Sequence, residues 1–381
     1  MVNIVINSII KFVLVKDEIE IRNYLKYKNH QLQGRYLTNE SLFKLDFSKD
    51  LKSKGKSVNK LPIYYLKLGN GPIKILVWSQ MHGNETTSTR ALLDLITFLN
   101  IYGSNYLKKI SLHVVPILNP DGALNYTRTN FNGIDLNRDA LVLSQPESIL
   151  LNEMYHSINP HFCFNLHDQR SIYSVSNSKK SSVLSFLSPS VDEMKSDTDS
   201  RIKSMKIISS IEKKLNKLIE GHISRFKDDY NANCVGDTFQ SLGTPTILFE
   251  SGQYGLDYSR ENTRNYMCIA LITAIKSIAS ENYDLNDYNS YYSIPLNEEF
   301  FFDILLRNIK ISKNNTFERV DIGVYFNETL DKKTKKITFS PVISKIGNLK
   351  LMTGHKEIDF SNNHIIHEIT NENLVEFIKN V

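Results

Sequence analysis

Cysteine is scarce in this 381-residue chain, and no run reaches the roughly 18 consecutive apolar residues of a membrane span. Cys163, Cys234 and Cys268 are odd in number, far apart and free of any C-x-x-C pairing. That excludes a disulfide framework or a thiolate metal site and reads as reduced core cysteines of an intracellular protein. Charge of one sign is lacking too: 46 Lys and Arg against 41 Asp and Glu leave 46 − 41 = +5. So small an excess nominates no nucleic-acid partner. No heptad, collagen-like or solenoid period is visible. The apolar stretch Met1 to Val15 is broken by Asn3, Asn7, Ser8 and Lys11, and Lys16-Asp17-Glu18-Ile19 follow where an export signal needs small residues. A soluble, cytoplasmic protein without a membrane partner is expected. What remains is an ordinary globular mixture, 41% hydrophobic and 23% charged, long enough for one large or two ordinary domains.

Strand-like and helix-like patterns alternate from about residue 60 to 280, which implies an α/β unit. Ile73 to Trp78, Leu112 to Leu118, His161 to Leu166 and Thr246 to Phe249 read as strands; Pro116 places the second at an edge or a bulge. Thr89 to Leu99 has helical spacing, as does the stripe Ile202, Met205, Ile208, Ile211, Leu215 and Leu218, whose lysine-bearing faces read as solvated. Glu281 to Glu299 reads as a linker. Beyond it, Val320 to Phe326 and Ile337 to Ile346 look like strands joined by the polar stretch Asn327 to Lys336, with Pro341 making the second an edge strand. The expected division is an N-terminal extension over 1–59, a catalytic unit over 60–285 and a small β-rich module over 286–381.

Three strand ends carry polar clusters: Gln80-Met81-His82-Gly83-Asn84-Glu85, Asn165-Leu166-His167-Asp168 and Leu248-Phe249-Glu250-Ser251-Gly252. In open α/β sheets, ligand sites gather beyond the carboxyl ends of the strands. His82 and Glu85, three residues apart, suit one divalent zinc ion, with His167 as third ligand and a fourth position left for water. Glu250 is the natural base for that water. The His–acid spacing alone arises about once by chance in a chain with 10 histidines. What raises it above chance is its coincidence with the other strand ends and with the loop Asn119 to Arg138. That loop holds Asn119-Pro120-Asp121-Gly122 and Asp135-Leu136-Asn137-Arg138, with a second arginine at Arg128. Arginine binds carboxylates through a planar fork and stabilises an oxyanion without changing its own charge.

Taken in order, these strings resemble the zinc carboxypeptidase superfamily, the M14 metallopeptidases, over roughly residues 60 to 280. The resemblance implies a mixed, mostly parallel twisted sheet flanked by helices. It implies one zinc ion per chain held by His82, Glu85 and His167, and Glu250 as general base. Arg128 matches the arginine that polarises the scissile carbonyl, Asn137 and Arg138 the pair that holds the terminal carboxylate, and Asp135 the acid that orients a zinc-bound imidazole. His-Gly-Asn-Glu and Glu-Ser-Gly also resemble the succinylglutamate desuccinylase and aspartoacylase branch, whereas Asn-Pro-Asp-Gly points to the peptidases. For the family's mobile substrate-binding tyrosine, Tyr230 and Tyr254 both remain open.

The expected activity is therefore removal of a C-terminal residue from peptides by a zinc-activated water. One alternative is a zinc-dependent deacylase of N-acyl amino acids; the other is an inactive peptide-binding pseudoenzyme, disfavoured because His82, Glu85, His167 and Glu250 are all present.

Overall fold

Runs of β-branched and aromatic residues build the centre of an eight-stranded sheet in this computed structural model, which describes residues 22–313, 316–361 and 365–366. Met1 to Val15, the stretch weighed as an export signal, lies outside the described residues. The strands are β1 (Lys52–Lys56), β2 (Pro62–Leu68), β3 (Ile73–Ser79), β4 (Ile110–Val115), β5 (Phe162–Asp168), β7 (Leu184–Leu187), β8 (Ile223–Arg225) and β9 (Thr246–Ser251). Their order is β1-β2-β4-β3-β5-β9-β7-β8, and β6 (Tyr173–Val175) lies outside this sheet. Pairings β3–β4, β3–β5, β5–β9 and β7–β8 are parallel; β1–β2, β2–β4 and β7–β9 are antiparallel. Every residue of β4, β5 and β9 is buried, as strands covered on both faces require.

One face is covered by α1 (Thr87–Tyr102), α4 (Asp199–Leu215) and α6 (Glu261–Ser280), whose apolar residues join Ile75, Val77, Phe164 and Phe249 in the largest core. The other face meets α3 (Pro146–Ile158) and α5 (Val235–Ser241), where Leu151, Met154, Val235 and Phe239 pack on Leu76, Trp78 and Cys163. Among the described residues, no helix is long and apolar enough to cross a membrane.

Two sequence expectations need correction. β4 is an interior strand between β2 and β3, and Pro116 falls just after its last residue, where a missing N–H removes no ladder bond. The stretch Glu281 to Glu299 is no linker: it contains a 3-10 turn (Asn282–Leu285), a helical turn (Asn289–Tyr292) and β10 (Asn297–Glu299), which pairs with β6. Its Asn, Asp, Ser and Tyr side chains mimic linker composition because they serve as caps and tertiary hydrogen-bond partners.

The C-terminal module is a second sheet, ordered β13 (Lys336–Gly347), β12 (Thr316–Asp331), β11 (Phe301–Lys313), β14 (Thr353–Asp359), with Ile365–Ile366 beside β11. β13, bearing Pro341, stands at the edge. The module has its own core of Ile304, Leu306, Ile309, Ile322 and Val324.

At the other end of the chain, residues 24–37 are tied to the sheet's helices through Asp94. Its carboxylate accepts from Tyr24 Oη (3.0 Å), the Asn29 backbone (2.8 Å) and, in bidentate fashion, Arg264 (2.7 and 2.8 Å).

Candidate metal centre and cleft

The loop after β3 turns sharply because Gln80 adopts φ 50° and its amide spans Leu37 O (3.0 Å) and Gly83 O (2.9 Å). It then passes against the start of α2 (Pro120–Asn125). Asn119 caps that helix, accepting from Gly122 N (2.8 Å) while donating to Met81 O (3.1 Å). A Cβ on Gly83 would stand 1.9 Å from the Gly122 carbonyl carbon, so the backbones touch where both motifs have glycine. The long polar loop of the sequence is thus a short helix followed by a 3-10 turn (Leu136–Arg138), and one asparagine joins it to the His82 loop.

His82, Glu85 and His167 meet behind this junction, all buried, with their ligand atoms within 4.8 Å of one another. His82 Nδ1 lies 2.9 Å from Glu85 Oε1, His167 Nδ1 lies 2.8 Å from Glu85 Oε2, and the two Nδ1 atoms are 3.1 Å apart. His82 Nε2 faces Asp135 Oδ1 at 2.9 Å, which assigns the imidazole proton to Nε2 and leaves Nδ1 as a bare lone pair. Lone pairs of two imidazoles and a carboxylate converging at this distance repel one another unless a cation stands between them. The donor set of two nitrogens and one carboxylate suits zinc at about 2.0–2.2 Å per ligand, so these residues fit the ion that the resemblance implies.

The surroundings favour the ligand forms of Glu85 and His167, whereas for His82 burial is outweighed by Glu85 and Asp135, which raise the imidazole. Burial, the largest effect, pushes the Glu85 carboxyl up, yet His82 and His167 together hold it well below the usual carboxylate range. Burial also depresses the His167 imidazole, favouring its neutral form. Asp135 is desolvated too, but its hydrogen bond to His82 and the adjacent Arg128 guanidinium hold it ionised. Arg128 spans Asp135 Oδ2 (3.0 Å) and Glu85 Oε1 (3.3 Å) and keeps about half of its side chain exposed to the cleft (49%).

Glu250, one residue before the end of β9, lies directly beside His167, its register partner. Burial first, then the Glu85 and Asp168 charges, raise its carboxyl well above the usual range, and its Oε2 has no hydrogen-bond partner. A carboxyl raised in this way beside a cation-binding group is suited to exchange a proton there.

Asn137 and Arg138 lie on the same cleft, which encloses about 980 Å³. Asn137 Oδ1 accepts from Val235 N (3.1 Å), and Arg138 donates to Asn137 O (2.8 Å) and to Cys234 Sγ (3.0 Å). The structure thus brings together every site residue named from the sequence. The Tyr254 ring packs on His222 and Tyr266; Tyr230 directly follows the cleft residue Asp229, and Tyr173 and Tyr325 line the cleft themselves.

Sequence reasoning missed Asn165 and Asp237, which line the cleft below the ligands, and Cys234, half-buried against Arg138 instead of lying in the core. The strand period of two offered a signal for Asn165: it sits two residues before His167 on a strand, hence on the same face. It also missed Arg35 from the N-terminal segment and Tyr325 to Glu328 from the C-terminal module.

The family model for zinc carboxypeptidase (Peptidase_M14) matches residues 48–161. Carboxypeptidase SOL1 of Arabidopsis thaliana is 33% identical over 132 residues, 29% of this chain and 26% of that protein. Probable carboxypeptidase 2 of Trichophyton verrucosum is 28% identical over 126 residues, 30% and 24% of the two chains. The match therefore spans about a quarter of the length of these curated relatives. Among solved structures, carboxypeptidase A from Helicoverpa armigera aligns with a TM-score of 0.52 at 15% identity, covering 70% of this chain and 81% of its own. The complex of bovine thrombin-activatable fibrinolysis inhibitor with tick carboxypeptidase inhibitor contains a chain aligning at 0.50 and 16% identity, over 68% and 99%. These two likenesses show the shared fold.

Proposed function

We propose that this chain, whose residues 48–161 match the zinc carboxypeptidase family model, is a zinc carboxypeptidase that removes single residues from the C-terminus of peptides. The observation that carries this reading is the convergence of three lone-pair donors, His82, Glu85 and His167, beside the buried Glu250 carboxyl. His82, Glu85 and His167 would hold the zinc ion, which would supply Lewis acidity toward a carbonyl and toward water. Glu250 accepts a proton from the attacking water and returns it to the leaving amine nitrogen. Arg128, tethered by Asp135 and Glu85, offers its guanidinium to the oxyanion as charge develops. Asn137 and Arg138 hold the free carboxylate, so the bond cleaved is the last one.

The pocket beneath these groups suits a terminal residue with an alkyl stem and a cationic tip. Leu187, Leu248 and Asn165 are register partners across β7, β9 and β5, forming a row two residues, roughly 7 Å, below the row containing Glu250 and His167. Asn165 Oδ1 is buried without a partner, and Asp237 is a buried carboxyl pushed up to about 7 by burial and by Asp228. Two acceptors beyond apolar walls call for a donor.

Mass spectrometry tests the whole reading, with zinc-loaded protein offered free peptides and N-acyl amino acids beside a Glu250→Gln control. Loss of single C-terminal residues, lysine or arginine before leucine, and absent in the control, is expected. Release of acyl groups with peptides untouched would replace the peptidase reading by the deacylase one.

A further inference from the structure

We propose that the C-terminal β module is the far wall of the catalytic cleft and restricts the protein to short peptides. This rests on the carboxypeptidase reading, but the wall residues lie outside the matched segment 48–161. The cleft of about 980 Å³ is continuous from the ligand group to Tyr325, Phe326, Asn327 and Glu328 on β12. That is the upper end of the range for pockets that hold a small ligand.

The wall and the carboxylate clamp are held by different segments of the chain. Asn137 and Arg138 are held by the segment around Asn233, Cys234 and Val235. The module is held elsewhere. Glu328 pairs with the buried Arg35 and accepts from Tyr126 Oη at 2.8 Å, two residues before Arg128. Asn297 donates to Gln169 at 3.1 Å, and the His355 ring bonds Ser171 O at 2.8 Å, both just past His167. A peptide whose carboxylate is held at Arg138 and whose last amide lies at Arg128 would share its cleft with Tyr325 of the module, which lines the same cavity.

The wall is rigid. Asp303 accepts from both Tyr258 Oη (2.9 Å) and Phe326 N (2.8 Å), pinning β12 where it faces the cleft. The Tyr325 ring stacks on Phe302 and carries the Arg170 guanidinium at 5.3 Å on its other contact. A partly buried ion pair and a doubly bonded carboxylate resist displacement, because opening them strands charges and polar groups away from water.

The test uses full-length, zinc-loaded protein and a series of peptides from two to eight residues that share one C-terminal residue. kcat/KM is expected to peak among the shortest members and to fall by at least about tenfold toward the longest. Tyr325→Ala is expected to flatten that fall and Asn327→Trp, on an exposed position of the wall, to steepen it. Binding of the same series to zinc-loaded Glu250→Gln protein, read by calorimetry, is expected to weaken with length in parallel. A kcat/KM that is flat or rises with length, or a slope unmoved in both variants, would overturn the proposal. If no peptide of any length is cleaved, the carboxypeptidase reading fails by itself; the wall stands or falls on the calorimetric slope, and no binding at any length overturns it too.

Discussion

Replacing Gly83 with alanine should abolish metal binding before it abolishes folding. The added Cβ would lie 1.9 Å from the Gly122 carbonyl carbon, 2.2 Å from Ala123 N and 2.4 Å from Gly122 O, all backbone atoms. Real Cβ contacts essentially never fall below 3.0 Å, so the two loops must part by at least 3.0 − 1.9 = 1.1 Å. Gly83 lies between His82 and Glu85, and zinc tolerates ligand displacements of only about 0.2 Å. A shift several times that tolerance costs more than the 10–100-fold typical of lost outer-shell support, so zinc affinity should fall by at least about 100-fold. The fold should lose only about 1–3 kcal/mol, the usual range for forced overpacking. Gly236→Ala is the matched control: its nearest neighbour is the Pro189 side chain at 3.2 Å, which yields by a few tenths of an ångström. Competition titration against a chelator reads the affinities, and urea unfolding of the metal-free proteins reads stability. A Gly83→Ala protein that binds zinc within about threefold of wild type would refute the loop-contact reasoning.

Two further substitutions probe other parts of the molecule. Asp94→Asn leaves the Arg264 guanidinium, fully buried like Asp94 itself, with only the more exposed Glu261 at 3.3 Å as an anion, so urea unfolding should show a loss of about 3 kcal/mol; a loss below about 1 would mean the pair is dispensable. Asp237 has a folded-state pKa of about 7 against an ordinary 3.8, so the folded state favours its protonated form. Its contribution to stability is full below about pH 4 and declines as pH rises toward 7, by up to about 4 kcal/mol. Wild type minus Asp237→Asn stability, measured by urea unfolding across that window, should therefore fall with pH; a flat difference would contradict the assigned burial.

Much of this architecture was legible because it is written in local pattern. The strands Ile73–Ser79, Phe162–Asp168 and Thr246–Ser251 are continuous apolar runs ending in polar residues, and burial on both faces is the physical reason for both features. The ligand group was legible because each of its members sits at such a strand end. Asp237 was not, since a carboxyl on a short helix has the composition of an ordinary cap until the fold turns it into a cleft. The Arg35–Glu328 pair was not legible either, its partners standing 293 residues apart, nor was the Tyr126–Glu328 bond across 202. Neither periodicity nor a motif encodes such a pair; only the packing of the second sheet against the first brings it about. The same reasoning explains why a segment rich in Asn, Asp, Ser and Tyr imitated a linker. Polar residues that line a cleft and polar residues that face bulk solvent are chemically identical in sequence, and they differ only in whether another part of the chain removes the water. Here the β module lines the cleft, so residues that look like surface stand inside it.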